Sequence, residues 1–216
     1  MMSIKSQNNI NLPDGRRLCF AEYGDRQGRP VFYFQGFPGL CLEARLAEKI
    51  SLSTNVRLIG IDRPCDGLSN FRSGRTFIDW ADDVAGLANA LGIYRFSILG
   101  VSGGGSYAAA CACIIPHRLD AVGIVCPMGP VDVPGLMQNK PWAYRRGLRL
   151  AGRLPGIAIA LHSFSAFIFR KYPRLMLSIL SEKVAAPDKI ALQDTELEKI
   201  LSTSFRDAYD FMLYLM

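Results

Sequence analysis

The sequence predicts an α/β protein: a three-layer, doubly wound, mostly parallel sheet with an inserted helical cap. Three observations lead there. Continuous apolar runs recur at residues 30–36, 55–64, 95–102 and 119–127, as strands buried on both faces of a parallel sheet require. Segments of helical periodicity lie between them, so the connections read as right-handed βαβ crossovers. From about residue 136 onward only helical patterns remain.

Each element has its own signal. "GRRLCFAEYG" (15–24) alternates as a strand, between the turn chemistry of "LPDG" and "GDRQGRP". "PVFYFQG" (30–36) is an apolar strand ending on glycine, followed by the helical "LEARLAEKIS". "NVRLIGIDRP" (55–64) is the next strand. In "TFIDWADDVAGLANALG", Phe77, Trp80, Ala81, Val84 and Leu87 share a helical face, Thr76 stands ready to cap it, Asp79 sits three residues on, and Gly92 follows its end. "RFSILGVS" (95–102) runs as a strand straight into the helix "GGGSYAAACACII", and "LDAVGIVCP" (119–127) is the last strand expected. Beyond it, helices are expected near 141–152, 156–170, 173–182, 188–201 and 204–216, with joints at Pro155, Pro173 and Pro187. The division is a core over 1–135 and a cap or lid over 136–216.

Composition narrows the function classes. The 216 residues are half hydrophobic, enough for one globular domain with a sizeable core. No repeat or low-complexity tract is present, and "MMSIKSQNNINLPDG" has no apolar signal-peptide region, so a cytoplasmic location is expected. The six cysteines form no C-x-x-C pair and have no histidine partners at zinc spacing; Cys19, Cys111, Cys113 and Cys126 lie in or beside apolar runs and read as buried free thiols. No metal or organic cofactor is expected. The net charge of +6 is uneven, with no acidic residue between Asp132 and Glu182. No nucleic-acid-binding motif accompanies that basic stretch, so it reads as a solvated helical face and no nucleic-acid partner is expected. "GIAIALHSFSAFIF" is shorter than the roughly 20 residues that span a bilayer and reads as a buried lid helix, with a membrane-surface helix as the less favoured alternative.

The chemistry concentrates at "SILGVSGGGS" (97–106). Gly100-Val101-Ser102-Gly103-Gly104 is a G-x-S-x-G between a strand and a helix. A serine on so sharp a turn projects its hydroxyl, side chains two residues either side would collide, and Gly100 and Gly104 avoid that. The helix that starts at once aims its N–H groups at a developing oxyanion. "FQGFPG" (34–39) is the second signal: the turn at Gln35-Gly36 brings the N–H of Phe37 beside that of Gly103, and two such donors make an oxyanion hole.

The order of "QGFPG", "IDRPCDGLS" and "GVSGG", each after a strand, resembles the α/β-hydrolase superfamily, in particular its esterase and peptidase-like members with a helical cap. The resemblance implies Ser102 as nucleophile, Phe37 and Gly103 as oxyanion-hole donors, and "DRPCDGLS" (62–69) as a loop shaping the edge of the site. Two residues depart from the pattern. Gln35 stands where the family has a histidine that braces the loop, a task open to the glutamine amide, and Cys65 stands where it has glycine. A serine elbow implies acyl-enzyme chemistry, in contrast to family members with an aspartate nucleophile.

The catalytic base is the difficulty. Family members place an acid and then a histidine on strands that follow the cap, and no such strands are expected here, so the fold reads as incomplete. Of the two histidines, His117 follows the helix that begins at Gly103, at the edge of the sheet opposite Ser102, and His162 lies in the cap without the carboxylate a base needs. Asp132, just past the last strand, is a candidate acid and also an ordinary turn residue. The function expected is a serine hydrolase acting on an ester or related acyl bond of a small apolar substrate, with its base missing from this chain and turnover correspondingly low. The alternative is a non-catalytic ligand-binding or protein-interaction module on the same fold. A sheet stopped after the strand at 119–127 also leaves an open edge for self-association.

Overall fold

A computed structural model of the chain describes residues 7–37, 39–129, 138, 142–154 and scattered positions between 156 and 178. Six strands form one sheet in the order β1-β2-β4-β3-β5-β6. They are β1 (Asn8–Asn11), β2 (Arg17–Gly24), β3 (Arg29–Phe34), β4 (Val56–Ile61), β5 (Phe96–Val101) and β6 (Leu119–Val125). β3, β4, β5 and β6 are mutually parallel, whereas β1 and β2 run antiparallel at one edge. The mixed, mostly parallel sheet expected is therefore present, with one strand more than the pattern indicated. β1 forms a hairpin with β2 through the "LPDG" turn, closed by hydrogen bonds from the Leu12 N–H to the Arg16 carbonyl and from the Gly15 N–H to the Leu12 carbonyl. "NNIN" is polar because the strand is short and mostly exposed, and no apolar alternation marks it.

Helices cover both faces. α1 (Glu48–Ser53), with a 3₁₀ turn over Cys41–Ala47 before it, lies on β2 and β4, where Ala21, Tyr23, Cys41, Ala44 and Leu58 make a small core. On the other face α2 (Trp80–Ala90) and α3 (Gly104–Ile114) enclose the main core, which includes Phe32, Phe34, Ile59, Ile61, Trp80, Leu87, Phe96 and Ile98. Phe32 stacks on Phe96 with ring centroids 4.3 Å apart, and Trp80 meets Phe34 edge-on at 5.5 Å.

α2 begins later than its sequence pattern. Thr76 donates its N–H and hydroxyl to the Asp79 carboxylate, and the helix starts one residue after Asp79. Phe77, expected on the core face, is instead 54 % exposed, its ring against Tyr107 at 4.8 Å. The other end matches expectation: Gly92 has φ +67°, and the Ile93 N–H reaches back to the Ala88 carbonyl as a Schellman stop does.

All six cysteines are free thiols, but only Cys19, Cys41 and Cys111 are buried. Cys113 and Cys126 are exposed, which corrects their sequence reading. Cys113 sits on the outer side of α3, and Cys126 follows β6 in left-handed backbone at φ 45°. β6 ends the sheet order on its side, with Ile124 and Val125 more than two-fifths exposed. Within the region expected as a cap, the described residues include α4 (Trp142–Arg153), whose Arg146 guanidinium lies over Trp142. No helix among the described residues is long and apolar enough to cross a membrane. The other expected helices and the cap boundary at 136 fall largely or wholly outside the described residues.

Candidate active site

Three neighbouring parallel strands deliver their loops to one edge of the sheet. β3 ends at Phe34 and leads into Gln35-Gly36-Phe37; β4 ends at Ile61 and leads into Asp62-Arg63; β5 ends at Val101 and leads into Ser102-Gly103. The carboxyl ends of such strands are where open α/β sheets bind ligands.

Ser102 occupies the turn between β5 and α3 with φ 51°, in the left-handed region that non-glycine residues rarely adopt. Its backbone is tied on both sides. The Ser102 N–H donates to the Val125 carbonyl at 2.9 Å, and the Ser102 carbonyl accepts from the N–H groups of Gly105 and Met128, each at 3.1 Å. The surrounding glycines are required by close approach. A Cβ on Gly104 would lie 2.1 Å from the Phe34 carbonyl oxygen, and one on Gly100 would lie 2.6 Å from the Gly104 carbonyl oxygen. A Cβ on Gly103 would come 3.1 Å from the Phe37 Cβ and 3.4 Å from the Phe37 nitrogen, and one on Gly36 would sit 4.0 Å from the Ser102 Oγ. The turn after β3 and the turn after β5 are therefore in contact, with Phe37 against Gly103 and Gly36 against Ser102.

His117 lies at the other end of the sheet. It follows α3, whose 11 residues rise about 16 Å along the axis from the Ser102 turn, and its carbonyl accepts from Arg95, just before β5 begins. His162 and Asp132 lie outside the described residues. Among the described residues, His117 is the one histidine, and no group of three or more His, Cys, Asp or Glu is arranged to hold a metal ion.

Sequence reasoning did not single out Arg63. Its side chain is 4 % exposed, and each guanidinium nitrogen makes a hydrogen bond: Nε to the Asp66 carboxylate at 2.7 Å, Nη1 to the Gln35 carbonyl at 3.2 Å and Nη2 to the Gly36 carbonyl at 2.9 Å. The Gln35 amide, the brace suggested by the sequence, is fully buried beside Asp66, and neither of its polar atoms makes a hydrogen bond of normal geometry to a described residue. Arg63 holds the loop's Gln35 and Gly36 carbonyls. Arg63 lies two residues past β4, and the parallel pairing of β4 with β3 is what brings it beside β3's own loop.

Three carboxylates surround this arginine. Asp62 is fully buried, accepts from the Cys41 N–H at 2.6 Å and from the Gln7 amide at 3.3 Å, and is pushed up to about 7, chiefly by burial. Glu43 is pushed up to about 8 by the same cause, with Arg63 pulling the other way. Asp66 is raised by burial, with Arg63 pulling the other way. Between about pH 4 and pH 8 the unfolded chain releases the Asp62 and Glu43 protons that the native state holds longer, so native stability falls as pH rises through that window. Asp14 and Asp79, held low by hydrogen bonds from Arg16 and Thr76, titrate below it. The melting temperature is expected to be higher at pH 5 than at pH 8 by roughly 5–10 °C, as a difference of a few kcal/mol in a domain of this size requires. Glu43→Gln should shrink that gap; an equal gap in the variant would show that Glu43 does not carry it.

No family model matches the sequence. A non-heme chloroperoxidase of Streptomyces lividans is 31% identical over 126 residues, which are 57% of this chain and 46% of that protein; the chain thus spans less than half of its curated relative. Among solved structures, an esterase from Thermogutta terrifontis superposes with a TM-score of 0.64 at 22% identity, covering 96% of this chain and 69% of that one. The epoxide hydrolase CorEH superposes with a TM-score of 0.65 at 21% identity, covering 95% and 72%. This chain has the α/β-hydrolase fold.

Proposed function

We propose that the chain is the core of a serine hydrolase that cleaves an ester or related acyl bond, with Ser102 as the nucleophile. The observation that carries this is Ser102 itself: a non-glycine residue at φ 51°, on a strand-to-helix turn, in contact with the loop after β3. Strained backbone at a loop cluster of this kind marks a functional position. In the reaction Ser102 Oγ bonds to the acyl carbon, the alkoxide leaves, and water then hydrolyses the acyl-enzyme. The N–H groups of Phe37 and Gly103 hold the oxyanion, and Gly36, Gly100 and Gly104 keep the two turns close enough to do so. The proton of Ser102 goes to a base outside the described residues.

A serine at this turn puts the protein with esterases such as the Thermogutta neighbour in chemistry, and apart from hydrolases whose nucleophile is a carboxylate. The apolar segments of the cap favour an apolar acyl portion. The β6 edge, with Ile124 and Val125 exposed, is the surface through which we expect copies to associate.

Long incubation with an alkyl fluorophosphonate, followed by peptide mapping, tests the assignment. Phosphorus bonds to Ser102 Oγ as fluoride leaves, so the adduct is expected on Ser102 ahead of every other serine and absent in Ser102→Ala. Adducts spread evenly over serines, or the same pattern in Ser102→Ala, would leave the fold as a binding module.

A further inference from the structure

We infer that Arg63 is a positioning residue that sets the direction of the Phe37 N–H, and through it the oxyanion hole; the inference rests on the reading of Ser102 above. The argument is one of peptide geometry. A trans peptide unit points its C=O and its N–H in opposite directions. Arg63 Nη1 holds the Gln35 carbonyl at 3.2 Å, so the N–H of that same unit, on Gly36, points away from the guanidinium. The 35–36 peptide is thus pinned through its carbonyl.

The next unit, 36–37, is pinned through its carbonyl by Arg63 Nη2 at 2.9 Å. Its N–H, on Phe37, must then point away from the guanidinium, and the Phe37 nitrogen lies in the layer of atoms that a Cβ on Gly103 would touch. One planar fork therefore fixes two successive peptide planes. Its own orientation is set by the third bond, from Nε to Asp66 at 2.7 Å. Lysine carries the same charge but no fork, so it cannot hold both carbonyls in these directions. Glycine at position 36 makes the restraint necessary, because that residue has the widest backbone freedom and would otherwise let the 36–37 plane rotate.

The test reads fluorophosphonate inactivation of Ser102 as two parameters: the maximal rate of phosphonylation and the concentration giving half that rate. Charge on the phosphoryl oxygen develops in the transition state, so a misdirected donor lowers the maximal rate and leaves reversible binding nearly alone. Arg63→Lys is expected to lose about 10-fold in the maximal rate and Arg63→Ala about 10²-fold, within the range for loss of one oxyanion donor. The half-saturating concentration should move by less than about 3-fold, because the donor acts in the transition state and not on reversible binding. Millimolar methylguanidinium should restore part of the rate in Arg63→Ala and none in Arg63→Lys. Should Arg63→Ala fail to fold, Arg63→Lys decides, since it keeps a cation beside Asp66. Unchanged maximal rates in a folded variant overturn the positioning role while Ser102 labelling in the parent chain stands. A parent chain that is not labelled at Ser102 overturns the hydrolase reading and this inference with it.

Discussion

Given p-nitrophenyl butyrate, this 216-residue chain is expected to turn over on the order of 10⁴–10⁶-fold more slowly than a serine hydrolase with its full triad. On the proposed reading, the strained turn at Ser102 and the contact between Phe37 and Gly103 are the site that holds an acyl group and its oxyanion. They do not provide a group to take the serine proton. Among the described residues the one histidine, His117, stands at the far end of the sheet, its carbonyl bonded to Arg95. With no base among the described residues, the turnover expected on the proposed reading is that of binding and an oxyanion hole alone. Added imidazole, a free base of suitable pKa, should raise the rate in proportion to its unprotonated fraction, and Ser102→Ala should abolish that increment. Turnover at ordinary esterase rates that is lost in Ser102→Ala would place a base within the chain, and His162→Ala would then be the variant to measure. An imidazole effect that survives in Ser102→Ala would remove Ser102 from the chemistry.

The strands of the core were readable because burial on both faces leaves a strong mark. Phe32, Phe34, Ile59, Ile61, Phe96 and Ile98 sit in unbroken apolar runs and form the main core. β1 carried no such mark, since a mostly exposed edge strand has no apolar face to write into its sequence. The start of α2 was misplaced because the apolar period includes Phe77, whose ring packs on Tyr107 from a turn rather than from the helix. Cys126 read as buried because it adjoins an apolar run, yet it lies at the exposed mouth of the β6 edge, where no further strand covers it among the described residues. In the candidate site, the sharp strand-to-helix turn at Ser102 was legible because the spacing of small residues is itself the geometric requirement. The Arg63 brace was less so. An arginine's partners depend on which strands lie side by side, and the parallel pairing of β3 with β4 is a tertiary fact that local pattern does not contain.

Replacing Gly104 by alanine is expected to cost about 3 kcal/mol or more and to lower the melting temperature by roughly 6–12 °C. The added Cβ would lie 2.1 Å from the Phe34 carbonyl oxygen and 2.9 Å from that of Gln35. Both are backbone atoms at the end of β3, which is locked to β5 by parallel pairing between Phe34 and Gly100, so no side-chain rotation can relieve the contact. The start of α3 must instead move away from β3, and that movement opens the gap between Phe37 and Gly103. Phosphonylation of Ser102 should therefore slow by more than the loss of folded protein explains. Gly147→Ala is the control: its Cβ meets nothing within 4 Å, and alanine in the middle of α4 should be neutral or stabilising by up to about 1 kcal/mol. A Gly104→Ala protein that melts and labels like the parent would show that the two turns tolerate separation, and that the glycines of the motif serve neither packing nor the site.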